Sequence, residues 1–309
     1  MTVIRPYHSG DEEGILQLFP LVFQSEMPLA VWQWKYLRGD QRPPVFVAEE
    51  DGHIVCHFAA IRQRAVWEGQ TALIWDSVDT MCHPRYQGKG LFRRAIQAFM
   101  RELGEKPSLF IYGFPTERHK RLGELLVGYE PVARVSQVQK ILSSSLTQRS
   151  SAGVVFDVLP LNWDVHWQQL EKQFTLTTCR DHAYLMWRYL TRPDRRYRIV
   201  TIPAAPALAV IGMQGGKALL MELLLERSDG DLTATLLAGI ETVAREEGAE
   251  SIEGWFPPFS WEHRLLCTTG NYTAQETEHW LECRLFDQRL SARGLAESFY
   301  YSLGDFDVY

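Results

Sequence analysis

Residues 83–90, HPRYQGKG, set two glycines either side of a lysine just before a run that reads as a helix. The first N–H groups of a helix have no internal partners, and the helix dipole makes that end positive. Glycine at positions 88 and 90 allows a positive φ, so that consecutive amides can converge on one anion. Arg85 and Lys89 add positive charge, and together these four residues would seat a phosphate or pyrophosphate. A plain strand-to-helix turn, with glycine for geometry and basic residues for solubility, is the competing explanation. Spacing rules out two dinucleotide patterns. GxGxxG would need glycine where Arg93 stands, and no GxxxxGK[ST] loop occurs.

A strand must bring the chain to this loop and a helix must carry it away. QTALIWDSVDTMCHP reads as the strand, ended by proline. GLFRRAIQAFMREL reads as the helix, stopped at Gly104, with Leu91, Ala95, Ala98, Phe99 and Leu103 along one side. Before them, DEEGILQLFPLVF has helical spacing, and PVFVAEE and HIVCHFAAIRQRAVW are strands around the turn EDGH. After them come a short buried strand, SLFIYGF, a second helix, TERHKRLGELLVG, and one or two closing strands in YEPVARVSQVQKIL. This order predicts an α/β (α+β) arrangement around a mixed sheet.

Half of it recurs. VWQWKYLRGDQRPPVFVAEEDGHIVCHFAA (31–60) is similar to YLMWRYLTRPDRRYRIVTIPAAPALAVIGM (184–213), with Trp34 and Trp187 aligned. SSSLTQRSSAG (143–153) has linker composition and falls near the midpoint. The chain is therefore read as two tandem, diverged copies of one fold: 1–142, a linker at 143–153, and 154–309.

Composition limits the partners. The 309 residues carry a formal charge of −6 and a pI near 5.9. Nothing in that balance draws the molecule to nucleic acid or an anionic membrane. No apolar run nears the roughly 20 residues of a membrane span. The first residues lack the pattern of a secretory signal, so the expectation is a cytoplasmic protein, with a homodimer allowed. Cys56, Cys82, Cys179, Cys267 and Cys283 are odd in number, widely spaced and without a CxxC pair. They argue for reduced thiols, with no disulfide framework and no metal site.

Arg85, Gly88 and Gly90, as R-x-x-G-x-G after the strand ending DSVDTMCHP, resemble the acyl-CoA pyrophosphate loop of the GNAT superfamily of N-acyltransferases. The resemblance covers residues 1 to about 142 in element order. It implies two tandem GNAT-like mixed-sheet domains with flanking helices, and acetyl-CoA as co-substrate. The pyrophosphate would lie on the amides from Gln87 to Leu91. The strand residues Thr80, Met81 and Cys82 would bond the pantetheine arm. The acceptor would be a primary amine on a small molecule, such as an amino sugar, aminoglycoside or polyamine.

Acyl transfer needs a group that takes the amine proton and, in many relatives, a tyrosine that protonates the leaving thiolate. Asp76 and Asp79 lie on the strand where these enzymes often carry an acidic base. Asp79, nearer the loop, is the first choice, with His83 and His119 behind it. The family tyrosine is missing: Gly123 falls at about its place and Thr116 replaces a usual asparagine, so Tyr112 or Tyr129 would have to serve. Cys82 lies beside the loop, but no histidine pairs with it at a recognisable spacing. In the second copy RSDGDLTA is acidic where the first has Arg85 and Lys89, and Asp229 and Asp231 would repel a pyrophosphate. That half is expected to bind no CoA. EGWFPPFSWEH (254–263) is a candidate acceptor lining, and SFYYSLGDFDVY could fold back over the cleft or form a surface strand. The rival to an acetyltransferase is a non-catalytic acyl-CoA-binding or regulatory protein.

Overall fold

The computed structural model describes residues 2–39, 42–104, 107–142, 153–203 and 205–308, so nearly all of the expected linker lies outside the described residues. The first half runs β1 (Val3–Pro6), α1 (Asp11–Phe23), α2 (Leu29–Tyr36), β2 (Val45–Glu50), β3 (His53–Trp67) and β4 (Gln70–Cys82). It continues with α3 (Leu91–Leu103), β5 (Phe110–Gly113), α4 (Glu117–Leu126) and β6 (Glu130–Ile141). The second half begins β7 (Val155–Phe156), α5 (Trp163–Leu170), β8 (Leu176–Thr178), α6 (His182–Leu185) and a wider helical turn at Met186–Leu190. Then come β9 (Tyr197–Thr201), β10 (Ala207–Gln214), β11 (Lys217–Leu225), α7 (Gly230–Glu246) and β12 (Ser251–Trp255). The chain ends with α8 (Trp261–Thr268), β13 (Thr273–Leu285), α9 (Ala292–Ser298) and β14 (Phe299–Tyr300).

The apolar side of α3 explains its seat. Ala95, Ile96, Phe99 and Leu103 are buried against Phe58, Trp75 and Ile111, and Leu91 against Ala48, Val55, Cys56 and Cys82. Phe99 meets Phe46, Phe58 and Trp75 edge-on. Each such large apolar side chain adds about 1.5–3 kcal/mol by leaving water. This packing fixes the start of α3 against the end of β4.

The fourteen described strands form one sheet, mainly in the order β1-β2-β3-β4-β5-β13-β6-β12-β11-β10-β9-β7, with β8 on β3 and β14. The centre of that order is an exchange. β5 of the first half pairs with β13, the long closing strand of the second. β12 of the second half pairs with β6, the closing strand of the first. Element order gives each half its own last strand, and nothing local in either strand indicates the swap.

The two aligned tryptophans meet where the halves join. Trp34 and Trp187 stack with centroids 5.3 Å apart. Each indole N–H donates to the other's backbone carbonyl, at 2.7 and 3.1 Å. Two residues 153 apart thus meet each other in matching roles.

Candidate active site

β4 and β5 are parallel and paired at Trp75–Ile111 and Asp76–Tyr112. β5 stops at Gly113 while β4 runs on to Cys82, so the two part beyond Asp76. Just there β4 carries an extra residue: Met81 pairs with His57 and Val78 with Ala59, leaving Asp79 and Thr80 opposite Phe58. Asp79 adopts a φ of 45°, unusual for a residue with a side chain. Bulges of this kind re-aim side chains beside functional sites.

The loop that follows has the expected form. Gly88 and Gly90 have φ of 76° and 75°, and a Cβ on either would enter open space. Gly90 caps α3 without any side-chain hydrogen bond, so the N–H groups of Leu91, Phe92 and Arg93 point outward unclaimed by the helix. Arg85, Gln87 and Lys89 are exposed around them. Lys89 Nζ rests 4.4 Å from the Tyr86 ring, and the Gln87 amide reaches the Cys82 carbonyl at 3.5 Å. These features fit the pyrophosphate of an acyl-CoA: open backbone, positive charge, and no carboxylate at the helix start.

The catalytic candidates separate. Asp79 is engaged rather than poised. Its carboxylate accepts from Lys35 Nζ at 2.7 Å and from the Tyr36 hydroxyl at 2.6 Å. Burial opposes its charge, but the Lys35 ammonium together with the Tyr36 hydroxyl holds the carboxyl below its ordinary range. A carboxylate so stabilised is a weak proton acceptor. His83 accepts the Arg85 N–H at 3.1 Å and so caps the short turn Pro84–Tyr86. His119 bonds Thr116. Tyr129 is buried with its hydroxyl facing Ser77 and no partner in bonding geometry, and Tyr112 is likewise buried without one. Thr80 is exposed, Met81 packs in the core beside α1 and α2, and Cys82 Sγ lies 3.1 Å from Cys56 Sγ.

Lys35, His57 and Asp307 at the site have no sequence signal, whereas Asp76 is a candidate from its strand. Lys35, buried, also pairs with Asp307 at 2.8 Å, which brings the chain's C-terminal segment to the bulge. His57 shares a 2.7 Å hydrogen bond between Nδ1 and the Asp79 carbonyl, and burial lowers its proton affinity. Asp76 is pushed well above the ordinary carboxylate range, first by burial and then by the Asp307 carboxylate. Asp76, Gln63, Trp34 and Trp187 line a narrow cleft with Asp305 and Asp307, with room for about one water (about 10 Å³). A larger cavity of about 210 Å³, beside Arg195 and Tyr197, lies on the second half away from the loop. The small cleft adjoins the parting of β4 and β5.

The C-terminal segment folds inward. Phe299, Tyr300, Tyr301 and Leu303 are buried, and the ring of Phe306 stacks on Trp255 at 4.8 Å. Trp255 and Phe256, from the aromatic stretch at 254–263, are themselves core residues.

Comparison with known proteins agrees with this geometry. Residues 3–121 match the acetyltransferase (GNAT) domain family. No curated protein matches the chain in sequence. Among solved structures, a probable N-acyltransferase from Enterococcus faecalis V583 superposes with a TM-score of 0.68 at 12% identity, over 92% of this chain and 72% of that one. A GCN5-related N-acetyltransferase from Anabaena variabilis gives 0.65 at 15% identity, over 93% and 73%. The Saccharomyces cerevisiae N-myristoyltransferase with bound myristoyl-CoA gives 0.60 at 10% identity, over 92% and 80%. Among the described residues no helix is long and apolar enough to cross a membrane.

Proposed function

We propose, from the GNAT acetyltransferase domain that residues 3–121 form, that this chain moves an acetyl group from acetyl-CoA to a primary amine of a small molecule. One observation carries the reading. The bare start of α3, with Gly88 and Gly90 in the left-handed region, lies at the end of the strand that parts from β5. The thioester supplies an activated acyl carbon; the chain's residues do the rest. The loop amides, Arg85 and Lys89 hold the pyrophosphate, and the unpaired edge of Thr80, Met81 and Cys82 aligns the pantetheine arm.

The acceptor side is acidic. Asp76, Asp305 and Asp307 surround the cleft with Lys35 and Arg188, a setting suited to a cationic amine. Asp76 replaces Asp79 as the proposed base, because burial and Asp307 raise its proton affinity while Lys35 depresses that of Asp79. Asp79 then serves to anchor Lys35 and the bulge. Since residues 304–307 form a wall of the cleft, an acceptor is admitted by displacement of that segment.

The chain is two tandem copies, the second without CoA. The test is calorimetric titration of acetyl-CoA, followed by thiol release in the presence of polyamines and aminoglycosides. One site per chain with amine-dependent thiol release supports the reading; binding without release would favour a non-catalytic acyl-CoA-binding protein. Asp76→Asn should bind acetyl-CoA as wild type does and lose about 100-fold or more in turnover. Unchanged turnover would remove Asp76 from the mechanism.

A further inference from the structure

Glu282 is a buried carboxyl that the chemistry above does not use. It lies on β13, the strand that the second half inserts beside β5. Its side chain is fully buried, and neither carboxylate oxygen has a hydrogen-bond partner. A buried carboxyl left without partners costs stability and is rarely kept without use.

Its surroundings locate it. Glu282 pairs across the sheet with Gly113, the last residue of β5. Ser77 of β4 lies on the other side of Gly113, its Cβ 3.8 Å from where a glycine Cβ would stand. The ladder to β6 slips by one residue at this level, opposite Pro131, which has no N–H to offer. Helix α4 covers the carboxyl with Gly123, whose own Cβ would come within 2.5 Å of Glu282 Oε2 and 2.9 Å of the Tyr129 ring. Position 123 is about where the family resemblance places the missing tyrosine. In this chain the space of that side chain is taken by a carboxyl from the other half.

We propose that Glu282 contacts the thioester sulfur and delivers the proton that the departing thiolate takes up, so that the strand exchange completes the active site. The proposal rests on the acyl-CoA reading above. In the step, the nitrogen–carbon bond forms as the carbon–sulfur bond breaks. That bond's electron pair ends on sulfur, and the Glu282 proton joins it to give CoA thiol. The amine's surplus proton leaves through the acidic acceptor cleft, and the Glu282 carboxylate regains a proton from water before the next turnover. Burial, then Glu124, pushes Glu282 up to about 8, close to the roughly 8.5 of a free thiol. Such matching favours transfer in either direction.

The charged and titratable groups facing it are Glu117, Lys120 and Glu124 on α4, and Tyr129. Arg284 on its own strand is turned to the Val127 carbonyl at 2.8 Å.

The test uses CoA itself and needs no acceptor. The ultraviolet absorbance of bound CoA thiolate is followed from pH 6 to 10 in wild type, Glu282→Gln and Gly123→Ala. An ionised Glu282 beside the sulfur disfavours a second negative charge, so the thiol in Glu282→Gln should ionise about one pH unit lower than in wild type. Gly123→Ala keeps the carboxyl but displaces it, and should shift the same titration even if Glu282→Gln folds poorly. An identical thiol titration in wild type and a folded variant overturns the proposal. Failure of wild type to bind CoA overturns the acyl-CoA reading first, and separately.

Discussion

Helix α3 follows β4 and helix α7 follows β11, and their first turns differ in what they offer an anion. At α3 the cap is Gly90, which has no side chain to satisfy the helix, and basic residues stand around it. At α7 the cap is Asp229, whose carboxylate already accepts the Leu232 N–H at 2.9 Å. The strands differ in the same sense. β4 is free of β5 beyond Asp76, whereas β11, free of β12 beyond Leu220, is covered by the chain's own end. A Cβ on Gly304 would come within 2.6 Å of Glu222 and 3.1 Å of the Met221 carbonyl. The Tyr300 hydroxyl donates to the Leu223 carbonyl at 3.3 Å. A strand followed by a helix thus leaves an open seat where the backbone is unsatisfied, and a closed one where side chain and tail satisfy it.

The sharpest way to break this contrast is to close the open seat. Gly88→Glu with Gly90→Glu places two carboxylates at the start of α3, as Asp229 does at α7, and adds strain at both positive φ values. Acetyl-CoA affinity should fall about 1,000-fold or more, about 4 kcal/mol, with circular dichroism unchanged. Retained binding in calorimetry would place the pyrophosphate elsewhere.

A second contrast sits at the Trp34–Trp187 joint, between Lys35 and Arg188, which follow the two tryptophans. Arg188 is held by backbone carbonyls of Gly304 and Phe306, at 2.9 and 2.8 Å. Lys35 is held by two carboxylates, so Lys35→Met leaves Asp79 and Asp307 without their shared cation. The expected loss is about 3 kcal/mol in chemical denaturation. Burial opposes both charges, but their pairing holds Asp79 low and Lys35 high. The Asp79 contribution is therefore full above the unfolded value near 4 and fades as pH falls through the folded one. That of Lys35 is full below its unfolded value near 10 and fades as pH rises through the folded one. The gap between wild type and variant should be flat from about pH 5 to 9 and narrow outside it. A loss well under 1 kcal/mol would show the pair to be peripheral.

What the sequence disclosed follows the range of the interactions involved. The loop was legible because Arg85, Gly88 and Gly90 act within six residues and need only a strand before and a helix after. The pairing of Trp34 with Trp187 was legible because the two keep similar neighbours in the chain. The engagement of Asp79 was not legible, because its partner, Lys35, lies 44 residues away. The exchange of β6 and β13 left no mark, since either strand alternates as well beside one partner as beside another. Glu282, in HWLECRLF, looks like an ordinary surface carboxylate. What buries it is α4, approaching through Gly123, and that approach is set by tertiary packing. Asp307 and Glu282 likewise reach the first half's strands only through tertiary packing.

The smallest effect separates the two reasons given for the closed seat. Asp229→Ala removes the cap of α7 and should cost about 1 kcal/mol of stability. If the cap alone excluded CoA, the variant would gain a second, weak site per chain. The packing of Gly304 on β11 argues otherwise, because it leaves no free strand edge for a pantetheine arm even when the helix start is bare. Calorimetric stoichiometry should therefore stay at one, with affinity at the first site unchanged. A stoichiometry approaching two would mean that the tail yields readily. The second half would then be a seat closed only by charge, and the acidic RSDGD turn would suffice to explain its silence.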